Sequence, residues 1–477
     1  MIYYKKLKEV LIFMHNKVNI LFSSYPDFSG NPKAFFEYLL SNYCDKFNLY
    51  WVIYNTAKLL SILKSKNINC VLFNSPEYKK LIENIDIIFD TNGFLFSEKK
   101  QNQIYINQWH GFGPKKSGYL LDAHNLAPQD IEYFYKSKNK TDFIVVPSEF
   151  AQLIFSSIFN INAQRILPTG FCRDEYILNS NGRANLQKLT TYNIYSYNKI
   201  LFYLPTFRNG NNRSDSKNIF SSNLLNLNNY NEKELLDYLK RNNYLLVIKK
   251  HPVEEDTIKD IHDSNVLILN DSVMTNQLIT LHEILNAADL LISDYSSIYV
   301  EYLLLNRPVL FLQRDKDEYL DKRGIILDSA DIWFPGPMPN TLNEFMEDIQ
   351  KLLTQTDYFS MERNNFKKLM LSENKNICQS LFDFLFDSNN YTLKHKPYVS
   401  ESDQLKNNLK EKEFNIENLN SKITDLKNKN NDIQEQNNTL NNENAILKSE
   451  IDHIYNSKSW KILQIFQKIK LKFKIPK

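Results

Sequence analysis

The run Trp109-His110-Gly111, with Lys115 and Lys116 close behind, follows the short apolar stretch IYI in a chain that has only 10 glycines and 8 histidines among 477 residues. A β-branched run that breaks into a Gly/Pro loop marks the carboxyl end of a strand. In open α/β sheets that end is where ligands bind. A histidine there can carry protons near neutral pH, and the lysines can hold an anion. Three later segments repeat the arrangement. LPTFRNG offers Thr206 and Arg208 after a buried strand; VIKKHP offers Lys249, Lys250 and His251; LLISDYSSIYVEYLLL places Asp294, Ser296 and Ser297 between a strand and an apolar helix. Ser296 or Ser297 can cap that helix, leaving its free N–H groups to an anion.

Taken singly, each segment has an ordinary reading: a helix cap, an ion pair at a domain boundary, a histidine bonded to backbone. Taken together, three of them supply Arg, Lys, His, hydroxyls and a helix N-terminus within the second half of the chain, a set that suits a pyrophosphate. No GxGxxG run and no P-loop occurs, which weighs against dinucleotide oxidoreductases and P-loop kinases.

The elements that must position these residues alternate along the chain. VNILF, LYWVIY, CVLF, IDIIFD, IYIN and FIVVP read as strands in a first series. KILFYLP, YLLVIK, NVLIL, DLLIS and PVLFL form a second. Continuous apolar strands separated by helical patterns predict parallel sheets covered on both faces. The expected class is α/β, with two Rossmann-like domains at 1–190 and 191–398 joined through the polar stretch Asn179–Asn198. From about Tyr398 the composition turns to Asn, Lys, Glu and Leu. Apolar residues then recur at alternating steps of three and four, with Asn430, Asn437 and Asn444 at successive a positions. The region 399–456 therefore reads as a coiled coil, and buried Asn at a favours a parallel homodimer. Residues 457–477 contain lysines but no acid, with Trp460 at the entrance and Ile462, Ile465, Phe466, Ile469 and Phe473 on one helical face. That is the composition of a helix lying on an anionic membrane surface; a different acidic partner is the rival reading.

The bulk numbers exclude several classes. A formal net charge of +3 gives no argument for nucleic acid. Cys44, Cys70, Cys172 and Cys378 stand far apart, without CxxC pairs, so neither a zinc site nor a disulfide framework is expected. No apolar run of about 18 residues occurs, so neither a signal peptide nor a transmembrane helix is expected, and the reading is a peripheral protein on the cytoplasmic face. A short basic helix through Leu7, Val10, Leu11 and Met14 is a second candidate for lipid contact.

The order Trp-His-Gly with lysines, Pro-Thr-Phe-Arg, Lys-x-His-Pro and Ser-Asp-Tyr-Ser-Ser resembles the CDP-glycerol glycerophosphotransferases, the primases and polymerases of teichoic acid synthesis. FSSYPDFSGNPKAFFEYL resembles the family's opening, GFCRDEY its Gly-x-Pro-Arg-Asn-Asp segment, and RDKDEYLDKRGIILDSADIWFPGP its closing segment. The likeness runs from about Leu21 to Pro337. Phe112-Gly113-Pro114, Cys172 and Glu301 depart from the usual Thr-Pro-Leu, Pro and Asp. The resemblance implies a GT-B-like pair of domains with the active site between them. It implies transfer of glycerol phosphate, or a related polyol phosphate, from CDP-glycerol or CDP-ribitol to a hydroxyl of a membrane-anchored acceptor, with CMP leaving. The product would be a teichoic-acid-like or capsular polymer, and the acceptor a lipid-linked polymer. On this reading His110 is the general base, and His251 stays open as the alternative proton carrier. Thr206, Arg208, Lys249, Asp294, Ser296 and Ser297 bind the donor, while Lys115 and Lys116 face the acceptor. No cofactor and no protein-held metal is expected, although a divalent ion on the donor phosphates stays open. The rivals are a GT-B glycosyltransferase using a nucleotide sugar and a non-catalytic membrane-bound coiled-coil scaffold.

Overall fold

Strand β1 (Val18–Phe22) is an apolar pentapeptide that forms parallel ladders on both sides, with β2 (Phe47–Ile53) and with β4 (Ile87–Asp90). Side chains on both faces of such a strand must be covered, which accounts for its near-continuous hydrophobicity. The computed structural model describes residues 17–54, 57–91, 99–100, 103–121, 128–205, 223–249, 261–327, 330–355, 357, 359–386 and 401–473. Within them β3 (Cys70–Leu72), β5 (Ile104–Asn107), β6 (Phe143–Val145) and β7 (Ile166–Leu167) complete a seven-stranded sheet in the order β3-β2-β1-β4-β5-β6-β7. The two-residue β7 is too short to leave a period in the sequence.

A second sheet joins β8 (Lys199–Tyr203), β9 (Tyr244–Lys249), β10 (Val266–Leu269), β11 (Leu290–Ser293) and β12 (Val309–Phe311) in the order β10-β9-β8-β11-β12. Every ladder in both sheets is parallel. In each sheet the winding direction reverses beside the first strand, at β1/β4 and at β8/β11. Those reversals leave crevices at the carboxyl ends of the strands.

Helices cover the faces where the pattern predicts them. NPKAFFEYLLSN lies within the helix Gly30–Asn42, and EKELLDYLKRN forms Glu232–Asn242, capped by Asn231 and closed by the left-handed Asn243. The apolar helix expected after Asp294 is shorter: Ile298–Tyr302 gives way to a 3₁₀ turn at Leu303–Leu305. Late in the chain, the helix Ile377–Phe386 packs into the first sheet's core rather than the second's. Ile377, Cys378, Leu381 and Leu385 join Phe35, Leu39 and Phe47 there. Phe382 stacks on Tyr43 with centroids 4.0 Å apart.

Residues Glu401–Asn456 form one helix of 56 residues, about 84 Å long at 1.5 Å per residue. Ile416, Leu419, Ile423, Ile433, Leu440, Leu447, Ile451 and Ile454 are exposed along it. Lys458–Phe473 forms a second helix. Ser457 receives the Trp460 N–H at its start, and the Trp460 ring meets Tyr455 edge-on. No described helix is long and apolar enough to cross a membrane.

Candidate active site

At the carboxyl end of β5 the Asn107 side chain accepts the Trp109 N–H at 2.8 Å and turns the chain sharply. Trp109 takes φ 47°, a region that bulky residues avoid. Two contacts hold it there. The fully buried Asn31 donates to the Gln108 carbonyl at 2.8 Å and the Trp109 carbonyl at 3.1 Å, and the Trp109 ring sits edge-on against Phe155 and Phe159. His110 follows, its ring 4.3 Å from that of Trp109 and the residue open to solvent.

The second sheet supplies the opposite wall. At the end of β11 the buried Asp294 accepts the Tyr295 N–H at 2.7 Å, and Gln313 donates to its carbonyl at 3.0 Å. Tyr295 stacks face to face on Tyr319 at 3.6 Å. Ser296 and Ser297 come next, half-buried. Neither fulfils the capping expectation by its side chain: Ser297 is already helical, at φ −65° and ψ −16°, whereas a capping side chain needs extended backbone. Its surface meets the histidine turn instead. A Cβ on Gly111 would lie 2.7 Å from Ser297 Oγ, and one on Gly113 would lie 2.9 Å from Ser297 Cβ and 3.0 Å from Ser297 Cα. Glycine is required at both positions because the two halves of the chain touch there.

Behind this contact lies a buried charged cluster. Arg173, from the turn after β7, donates to the His110 carbonyl at 2.8 Å. It also forks onto Glu301 of the second half, Nε to Oε2 at 2.9 Å and Nη2 to Oε1 at 2.5 Å. His282 Nε2 meets Glu301 Oε2 at 2.8 Å, and Asn31 accepts the Arg173 backbone N–H at 3.2 Å. Burial opposes ionisation of Glu301, but Arg173 and then His282 outweigh it and hold the pKa down at about 2. Burial, and next the Glu301 charge, push Asp174 well above the carboxylate range, so the cluster balances one guanidinium against one carboxylate. Burial, then Arg173, lowers His282. Stranding either partner of such a pair costs about 3–5 kcal/mol. For His110, protein crowded around the imidazole, and then Arg173, lower the pKa to about 4 while Glu301 opposes them. Water reaching the ring softens the desolvation. The imidazole is thus neutral at physiological pH and free to accept a proton.

The remaining predicted residues divide. Lys249, at the end of β9, is ion-paired with Asp271 at 2.6 Å. Lys115 bridges Ile325 through its backbone, with its ammonium 5.9 Å from the Tyr319 ring centroid; Lys116 N–H donates to the Gly324 carbonyl at 3.3 Å. Both lysines therefore sit where the Arg323-Gly324 segment crosses to the first half. Thr206, Arg208 and His251 lie outside the described residues, as do Lys250 and the basic helix around Leu7. Among the described residues no group of three or more His, Cys, Asp or Glu is arranged to hold a metal ion.

Residues 6–386 match the family described as CDP-Glycerol:Poly(glycerophosphate) glycerophosphotransferase. The chain belongs to that family. It is 31% identical over 326 residues to a teichoic acid glycerol-phosphate primase of Bacillus subtilis, covering 65% of this chain and 77% of the primase. It is 25% identical to a teichoic acid glycerol-phosphate transferase of Staphylococcus aureus, over 78% of this chain and 95% of that protein. The fold is that of the wall teichoic acid polymerase TagF, with TM-score 0.64 at 21% identity over 83% of this chain and 96% of the solved one, so the two sheets form a GT-B-like pair.

Four residues at and behind the histidine turn of this glycerophosphotransferase, Asn31, Arg173, His282 and Glu301, were not among the expected site residues, although Glu301 stood out as a departure from the family's Asp and Arg173 lies in the matched GFCRDEY segment. One further signal was present. Glu301 is the only charged residue in the apolar run SIYVEYLLL, and an acid in such a helix needs a buried partner. Nothing comparable marks Asn31, whose role is to bridge two backbone turns.

Proposed function

We propose that this glycerophosphotransferase moves glycerol phosphate from CDP-glycerol onto a terminal hydroxyl of a lipid-linked teichoic-acid-type acceptor, with His110 as general base. The acceptor oxygen attacks the distal phosphorus of the donor, the bond from that phosphorus to the bridging oxygen breaks, and CMP leaves. His110 takes the hydroxyl proton and returns it to solvent. The observation that supports this reading is the contact of Gly111 and Gly113, next to His110, with Ser297 of the turn after β11. A positioned base typically contributes about 10²–10⁴-fold, and in-line phosphoryl transfer otherwise relies on orientation and charge neutralisation.

The first half, 1–190, takes the acceptor, with Lys115 and Lys116 toward its anionic groups. The second, 191–398 apart from the helix Ile377–Phe386 that packs on the first sheet, takes the donor. Arg208 and His251 neutralise its pyrophosphate, Thr206, Ser296 and Ser297 orient it, Asp294 serves the donor site by shaping the turn that carries the two serines, and Lys249 joins them by exchanging Asp271 for phosphate. A divalent ion carried in on the donor phosphates is compatible with this set, and CDP-ribitol is the alternative donor. The helix Glu401–Asn456 pairs in parallel with a second copy through its exposed apolar stripe, with Asn430, Asn437 and Asn444 setting register. Residues 457–477 bind the anionic cytoplasmic face of the membrane, where a lipid-linked acceptor would be found.

The test is CMP release by purified protein given CDP-glycerol and an acceptor. His110→Ala should lose turnover by at least about 10²-fold while keeping its melting temperature and its affinity for CDP. Near-normal turnover in a folded His110→Ala variant would remove His110 from the mechanism.

A further inference from the structure

Arg173 has three partners that no catalytic role for His110 requires of it: the His110 carbonyl, the Asn31 carboxamide and, across the two halves, the Glu301 carboxylate. Glu301 sits four residues after Ser297, on the same short helix, and its carboxylate is fully buried. One end of that helix therefore presses on Gly111 and Gly113, while its next turn grips the residue that holds the His110 backbone. His282 supplies a further hydrogen bond to Glu301 and fixes which way the carboxylate faces. A bidentate guanidinium–carboxylate pair has a fixed planar geometry, so it transmits position as well as charge.

We propose that Arg173, Glu301 and His282 form a positioning unit that sets the distance between the proton-accepting histidine and the serine turn facing it. None of the three touches the reacting atoms. They act by holding the His110 carbonyl on the first half in register with the Ser296–Ser297 turn on the second. The inference rests on the assignment of His110 as the base. A second ion pair between the halves, Lys33 to Glu283 at 2.8 Å, gives an internal contrast, because it joins the halves without touching the histidine turn.

The experiment uses the full chain, CDP-glycerol and an acceptor, with steady-state CMP release followed over a range of donor concentrations. Glu301→Asp keeps the charge but withdraws the carboxylate by one methylene, and Arg173→Lys keeps the charge but loses the fork. Each should lower kcat about tenfold or more with the donor KM changed less than about threefold, the pattern of a misplaced catalytic group. CDP affinity should stay near that of the parent protein, and any drop in melting temperature should leave the variants fully folded at the assay temperature. Combined with His110→Ala, either substitution should add no further loss, because its effect passes through that residue. Lys33→Met should lower the melting temperature without this kcat signature. Full kcat in Glu301→Asp and Arg173→Lys would overturn the inference, as would equal fold-losses with and without His110. So would losses that merely track the folded fraction. Normal turnover by His110→Ala alone would instead remove the general-base reading, and the positioning role with it.

Discussion

Replacing Gly113 by alanine puts a methyl group where the second half of the chain leaves no room. The added carbon would lie 2.9 Å from Ser297 Cβ and 3.0 Å from Ser297 Cα. Ordinary carbon–carbon contacts sit at about 3.5–4.0 Å, so the deficit is roughly 0.5–1 Å. Ser297 Cα is backbone and cannot swing aside as a side-chain tip would. Gly113 does not occupy the left-handed region, so alanine meets no backbone strain and the whole effect is steric. The turn must therefore back away from Ser297 by most of the deficit. Displacement of about 1 Å at a reacting centre can cost 10²-fold, so kcat for CMP release should fall about 10–100-fold. Overpacking of this kind destabilises by about 1–3 kcal/mol, which a thermal melt should register as a modest drop. A folded Gly113→Ala protein with undiminished kcat would show that contact between the two turns is irrelevant to the chemistry.

The low pKa of His110 has a pH signature. Since the neutral ring is the base and its pKa is lowered, the acid limb of kcat/KM for the free enzyme should lie below the ordinary histidine value of about 6.5; an acid limb centred at the ordinary histidine value would contradict the assignment. The same direction of shift in His110 and His282 makes their stability contribution full above about 6.5 and progressively lost as pH falls below it, with the buried His282 contributing more than the exposed His110. His110→Asn should therefore flatten part of the decline in Tm across that range. Replacing Asn430, Asn437 and Asn444 with leucine should stabilise the 402–455 segment and loosen its oligomeric state, measured by sedimentation; a monomeric parent segment at micromolar concentration would end the dimer reading. Removing residues after Asn456 should release the protein from anionic vesicles and spare activity on a soluble acceptor, whereas continued pelleting would move the membrane role elsewhere.

Much of the fold was legible because parallel strands buried on both faces write long apolar runs, as VNILF and YLLVIK do. Strand ends then pointed to Trp109-His110-Gly111 and to Asp294-Tyr295-Ser296-Ser297, and the structure brings those two segments into contact. What stayed hidden depends on pairing across long sequence distances. Arg173 and Glu301 are 128 positions apart, and nothing local to either names the other. Ser297 looked like a cap because serine before an apolar helix usually is one; only its helical backbone angles show that its role is contact. Lys249 reads as a donor-binding residue at a strand end, yet Asp271 lies against it, and that carboxylate comes from the start of a helix beyond the next strand.

The return of the helix Ile377–Phe386 to the first sheet bears on how the protein is made. Phe382 and Phe386 cover Tyr43 and Phe47, but a ribosome delivers them about 340 residues later. At about 5–20 residues per second that interval is roughly 17–68 s. Throughout it, the nascent first half carries an uncovered aromatic groove while the whole second sheet is still being synthesised. The ring faces of Tyr43 and Phe47 that this helix covers can therefore be closed only after the whole second sheet has been synthesised.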